Sequence, residues 1–171
     1  MILAVILCVL PALATPEGLQ SALNEALYTH ADIPPLKDLD EQADRVIMGE
    51  VLTTRTQRDP SNIYTVATVR VWETLRGHQD PIVEVHLPGA MLSKHDLSVF
   101  GQAKLLPGFE VLLFLRGEQV VGMGAGAFVL LGNKAWKNKR PGLAADPKTV
   151  GRHAESLYVT HDISAVRAAL R

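Results

Sequence analysis

The sequence predicts a mainly β domain, and three observations predict it. Between residues 45 and 131 the apolar side chains either alternate with period two or form short unbroken runs. Those runs are rich in β-branched and aromatic residues, and Gly, Pro, Asn and Asp bound each of them with no helical stretch between. Strands at such close spacing form an antiparallel barrel or sandwich and argue against a parallel α/β sheet.

The chain opens differently. No charged side chain occurs from Met1 to Leu13, Ile2 to Leu10 is apolar throughout, and Pro11 leads into Ala12-Leu13-Ala14. An apolar stretch ending in a small-x-small triplet is the pattern of an export signal, so residues 1–14 are expected to be removed, leaving Thr15 first. A bilayer span needs about 20 apolar residues. This run is shorter and broken by proline, so no membrane span is expected in the mature chain. Lipid attachment at Cys8 would want a small residue before it, and Leu7 stands there. Cys8 is the only cysteine, so the mature domain is expected to have no disulfide, no thiolate nucleophile and no cysteine-ligated zinc.

Residues 15–42 form the predicted N-terminal helical segment. Pro16 suits a first helical turn, and Leu19, Leu23, Ala26 and Leu27 share one face until Pro34-Pro35 stops the helix. A short helical turn over 36–43 leads into the β domain, predicted over 43–131. Its first strand holds Val46, Met48 and Leu52. After Asp59-Pro60-Ser61-Asn62 comes a second, from Ile63 to Trp72. A third, from Ile82 to Leu87, turns Val83, Val85 and Leu87 inward and Glu84 and His86 outward. Residues 90–106 are expected as a loop. Pro107-Gly108 precedes a buried strand, Val111 to Leu115. Gly117-Glu118 tips a hairpin to a strand over 120–123, and a last strand runs near 127–131. Residues 132–159 are expected as a basic loop region, with loop at least from Lys134 to Gly151. An amphipathic C-terminal helix over 160–171 follows, capped by Thr160 to Asp162, with Ile163, Val166 and Leu170 on one face.

The net charge of -1 names no partner, but its distribution is uneven. From Thr15 to Asp44 seven acids face one lysine, whereas Lys134 to Arg152 holds six bases and one acid.

Several pieces, in order, carry a resemblance: Ala43-Asp44-Arg45-Val46-Ile47-Met48-Gly49-Glu50-Val51, with its central glycine; Ile63-Tyr64-Thr65; Val69 to Gly77, ending Leu-Arg-Gly; Val83-Glu84-Val85-His86-Leu87-Pro88-Gly89; Pro107-Gly108-Phe109-Glu110 before Val111-Leu112-Leu113-Phe114-Leu115; and Val121-Gly122 with Gly126-Ala127-Phe128. This region, residues 43–131, resembles uncharacterised exported bacterial proteins that carry a small barrel of the OB-fold or netrin-like kind, the architecture of tissue inhibitors of metalloproteinases. The resemblance implies an antiparallel OB-like barrel of five to six strands between an N-terminal helix and a C-terminal helix. It carries over no catalytic residue. Those inhibitors place an N-terminal cysteine on the target's zinc, and the expected mature chain has none.

Candidate chemistry is sparse. His86, His95, Asp96, Ser93 and Ser98 are raw material for a Ser-His-carboxylate relay, but no Gly-x-Ser-x-Gly motif positions a nucleophile. The histidines at 30, 78, 86, 95, 153 and 161 lack metal-ligand spacing, and His78 with Asp80 or His95 with Asp96 would need tertiary help. No metal and no cofactor is expected. Gly122-Met123-Gly124-Ala125-Gly126 is followed by strand-like Phe128-Val129-Leu130-Leu131 and not by the helix a phosphate-binding loop requires. Its glycines are expected to serve a bulge or a close backbone approach.

The stretch with binding character is Lys134-Ala135-Trp136-Lys137-Asn138-Lys139-Arg140, four cations around a tryptophan. Lys134, Trp136, Lys137, Lys139 and Arg140 are the candidate ligand-binding residues. Cations with an aromatic platform suit single-stranded nucleic acid, but export to the periplasm or medium points to a protein or an anionic envelope polymer and away from nucleic acid. The leading expectation is therefore a non-enzymatic binding or structural module. A hydrolase using His86 or His95 is one alternative, and an inhibitor or accessory chain of an exported protease is another.

Overall fold

The computed structural model describes residues 34–58, 60, 63–91, 96–98, 103–138 and 158–170. The predicted export signal, the predicted helix within residues 15–33 and the middle of the basic region lie outside them. Among the described residues the order is α1 (Leu36–Gln42), β1 (Arg45–Arg58), β2 (Ile63–Arg76), β3 (Ile82–Met91), β4 (Asp96–Ser98), β5 (Glu110–Arg116), β6 (Gln119–Val120), β7 (Ala127–Leu131), β8 (Lys134–Asn138), β9 (Tyr158–Asp162) and α2 (Ile163–Ala169). The protein is mainly β, as the periodicity predicts.

The strands run β1-β2-β3-β6-β5-β7-β8-β9, with β4 beside β3 and an additional pairing between β1 and β5. β1 and β5 pair antiparallel from Arg45 opposite Leu115 to Glu50 opposite Glu110. Their side chains alternate between two cores. Val46, Met48, Leu112 and Phe114 enter one, which α1 closes with Leu36, Leu39 and Ala43 and α2 closes with Ile163, Val166 and Leu170. Ile47, Val51, Val111, Leu113 and Leu115 enter the other, together with Ala67 and Val69 of β2 and Val83, Val85 and Leu87 of β3. A strand covered on both faces has no polar side with which to alternate. That is why Val111-Leu112-Leu113-Phe114-Leu115 is an unbroken apolar run, buried at every position.

The β1–β2 register shifts three times, leaving Leu52 on β1 and Trp72 and Leu75 on β2 without an opposite residue. Such bulges bend a strand and increase its twist, which lets β1 reach β2 on one edge and β5 on the other. Gly49 sits at one shift. A Cβ there would stand 2.5 Å from the Arg70 carbonyl oxygen and 2.7 Å from Val69 Cγ1, so the close approach requires glycine. At the α2 end, Arg167 donates to both Glu73 carboxylate oxygens at 2.9 and 2.6 Å, and the Ile163 amide donates to the Asn133 carbonyl at 2.9 Å.

Five expectations are corrected. Lys134 to Asn138 is strand, not loop: β8 pairs β7 on one edge and β9 on the other. Tyr158 and Val159 are also strand, so the predicted loop region 132–159 begins and ends in a hairpin. The C-terminal helix starts at Ile163, because Thr160 to Asp162 continue β9, and Asp162 makes no side-chain capping bond. The strand expected over 120–123 ends at Val120 and gives way to turns at 121–126. Finally, the described residues form nine strands, seven of them within 43–131, and the sheet is mixed and not antiparallel throughout, because β3 and β6 pair in parallel at His86 opposite Gln119. β4 and β6 are too short to show periodicity, and β8 is too polar to read as strand.

Candidate functional site

The β8–β9 hairpin carries the candidate binding residues. Its register sets Lys134 opposite Asp162, Trp136 opposite Thr160, Lys137 opposite Val159 and Asn138 opposite Tyr158. Residues 139–157, with Lys139 and Arg140, are therefore the connection of this hairpin, and these two candidates lie outside the described residues. Alternation along β8 sends Lys134 and Trp136 to one face and Ala135 and Lys137 to the other.

On the first face Trp136 is half-buried. Its ring meets Tyr158 edge-on, with centroids 6.2 Å apart. The diagonal placement across antiparallel strands brings these two rings into reach. Val129 and Tyr158 form the small core here, with Phe109, Leu131 and Trp136 packed against it. Trp136 Nε1 is buried without a hydrogen-bond partner among the described residues. Lys134 is exposed at the other end of the strand.

The second face departs from the outward cation that the sequence suggests at Lys137. Its Nζ donates to the carbonyls of Gly124 at 2.5 Å and Ala127 at 3.2 Å, and stands 5.2 Å from the centre of the Phe128 ring. Burial pulls its pKa down to about 8. Phe128 also meets Phe114, at 6.1 Å, and His161, at 5.7 Å, both edge-on. Burial likewise lowers the pKa of His161. Of the three described candidates, then, the fold leaves Lys134 outside, half-buries Trp136 and turns Lys137 inward. His161 and Phe128 escape a sequence reading. Their only signal is the i, i+2 spacing of Ala135 and Lys137, which places a lysine on an apolar face once β8 is known to be a strand.

Of the residues considered for hydrolysis, His86 is the one whose side chain is described. His86 Nδ1 lies 3.2 Å from Glu118 Oε2, and its ring is 5.2 Å from that of Tyr64. The neighbouring Glu84 pairs with Arg55, whose hydrogen bonds hold its carboxyl below the usual range. Ser93 and His95 lie outside the described residues, and Asp96 and Ser98 are described only as backbone of β4. His78 Nε2 is 3.3 Å from Asp80, but the same carboxylate pairs with Arg45 at 3.0 Å. Among the described residues no three His, Cys, Asp or Glu side chains converge as metal ligands. No helix among them is long and apolar enough to cross a membrane.

The glycine segment is a compact turn. Its ends are pinned to β5: the Phe114 amide donates to Gly126 at 2.8 Å, and the Val121 amide donates to Phe114 at 3.0 Å. A Cβ on Gly126 would stand 2.9 Å from the Phe114 carbonyl oxygen, so this glycine serves a close backbone approach. No protein-family model and no curated protein sequence matches the chain.

Proposed function

We propose that the chain is an exported module of the bacterial envelope or extracellular space that binds a protein or an anionic surface polymer without catalysing a reaction. The β8–β9 hairpin is its contact element. The observation that carries this reading is the Trp136–Tyr158 pair, which sits beside the point where the connection bearing Lys139 and Arg140 leaves and returns. Trp136, held in place by the buried Tyr158 ring, keeps part of a rigid aromatic surface exposed for contact at little entropic cost, and neighbouring cations supply attraction for an anionic partner.

An OB-like closed barrel is the scaffold in this reading. Its support is the circuit of pairings β1-β2-β3-β6-β5 and back to β1, with the parallel β3–β6 step as the narrowest join. The two helices and the β7-β8-β9 extension lie outside that circuit.

The test uses immobilised polyglutamate and polyglycerophosphate as probes. The mature chain is expected to be retained on at least one of them at low salt and released as salt rises, because exposed charges are screened. Lys139→Ser with Arg140→Ser should elute at markedly lower salt. Lys137→Ser should elute with the parent, since its ammonium is already turned inward. Equal elution of all three proteins, or retention indifferent to salt, would overturn the anionic contact. Export is tested by the mass of the protein recovered outside the bacterial cytoplasm, expected to begin at Thr15. An intact chain retained inside would overturn it.

A further inference from the structure

We propose that the outer face of β2 and β3 around Trp72 binds an uncharged saccharide chain. This surface uses none of the residues assigned to the β8–β9 hairpin, so it stands or falls apart from that reading. Three large apolar side chains are exposed among the described residues: Trp72 at 48%, Ile82 at 47% and Met123. The first two stand together. Ile82 lies opposite Arg70 in the β2–β3 ladder, and Trp72, two residues further along β2, turns to the same face and sits diagonal to Ile82, within reach of a ring that size. Large apolar side chains left together in water mark a contact surface more often than the same residues scattered singly.

The backbone around Trp72 sets it in the open. The Val71 amide donates to the Pro81 carbonyl at 2.9 Å, which brings exposed Pro81 beside the pair and extends the apolar strip along the start of β3. Toward β1, Gly49 lies opposite Val71 and Met48 opposite Glu73, so Trp72 is the extra residue of a register shift. A bulge of this kind re-aims a side chain. No β1 residue stands across from the indole to cover it.

The charges around this strip are cancelled. Each of the five Asp, Glu and Arg side chains between Val69 and Val85 is ion-paired, among them Arg70 with Glu50, Glu73 with Arg167 and Asp80 with Arg45. A polyanion is drawn by uncompensated cations, and β2 and β3 present none over this stretch. The paired groups keep hydrogen-bonding capacity all the same. A guanidinium has five N–H donors and a carboxylate about four acceptor sites, and the bond from Arg70 Nη2 to Glu50 Oε2 uses only part of both. The face therefore suits a partner that is uncharged and rich in hydrogen-bonding groups.

Size selects among such partners. A stable protein contact covers about 800 Å² on each side around an apolar centre, more than two half-exposed side chains and a proline provide. A narrow chain needs far less. A pyranose ring has one face of C–H groups, which stacks on an indole, and a girdle of hydroxyls, which donate to carboxylates and accept from guanidinium groups. Trp72 and Ile82 supply the first surface. Arg70 and Glu50, each already held by the other, supply the second with little ordering left to be done on binding.

The test titrates the full chain with maltohexaose, cellohexaose and the hexamer of N-acetylglucosamine, read by calorimetry and by tryptophan emission. Trp72 and Trp136 are the two tryptophans, so in Trp136→Phe the emission reports Trp72 alone. At least one hexaose is expected to bind, shifting that emission, with an affinity that is the same at low salt and at about 0.5 M salt, since no net charge is screened. Trp72→Ala should weaken it about tenfold, Trp72→Tyr should keep most of it, and Lys139→Ser with Arg140→Ser should bind as the parent does. No binding of any hexaose at about 5 mM, an affinity that falls with salt, or Trp72→Ala binding like the parent would each overturn the proposal. So would a self-association in sedimentation that Trp72→Ala abolishes, because a second copy would then own the strip. The parent calorimetry and its salt dependence decide the matter even if a substituted chain does not fold.

Discussion

β5 and β8 are both interior strands with a partner on each edge, yet they are held in different ways. β5 has a core on either face and buries all five residues between its ends. β8 buries Ala135 fully, half-buries Trp136 and tucks in the stem and amine of Lys137. The lesson is that pairing can be satisfied without apolar sequence. Both edges of β8 are occupied, so its backbone groups are bonded, whereas its side chains supply little transfer energy. One strand anchors the fold, and the other is a place where chemistry can sit.

Truncation at the anchor is the most severe way to probe that difference. Phe114 is fully buried between β1, Phe128 and the helices. Phe114→Ala is expected to cost about 3–5 kcal/mol, the usual range for emptying a buried phenylalanine site, measured as a shift of the urea midpoint. A cost near that of an exposed substitution would mean that the β5 core is not the fold's anchor.

The next largest effect belongs to β8 and is read against pH. Lys137 has a folded pKa of about 8 against 10.5 for a free lysine, so the unfolded chain binds this proton more tightly. Stability therefore rises as pH climbs from about 8 to 10.5, and that contribution is absent below the folded value. Its ceiling is about 3 kcal/mol. Lys137→Met removes the titration, so the stability of the parent minus that of the variant should increase with pH across this window. A flat or falling difference would show that the amine is not buried as described.

The same contrast explains what the sequence disclosed. Val83, Val85 and Leu87 announce a strand with one core face, and the run from Val111 announces one with two. The spacing of Ile163, Val166 and Leu170 announces the helix that closes a core. β8 has no such signal: Lys134, Lys137 and Asn138 are residues of loops and surfaces, and only the strands on either side make Lys134–Asn138 extended. The parallel step at His86 and Gln119 is equally silent, since one residue pair has no period. Of the candidate site, the composition around Trp136 was legible. The inward turn of Lys137 was not, because it depends on which face of β8 the first core occupies.

The smallest predicted effect concerns Trp136 and separates packing from hydrogen bonding in β8. Its ring packs on Tyr158 while its Nε1 is buried without a partner among the described residues. An unsatisfied buried donor carries a desolvation cost, so replacing it with an apolar group of similar shape is close to neutral or stabilising. Trp136→Phe keeps an aromatic ring against Tyr158 and discards the N–H. It should change stability by no more than about 1 kcal/mol, whereas Trp136→Ala, which also empties a half-buried site, should cost about 1–2 kcal/mol. If the two substitutions cost the same, the indole N–H contributes a bond that the packing does not reveal. β8 would then be secured by a polar contact on each face, Lys137 on one and Trp136 on the other, and its difference from β5 would be sharper still.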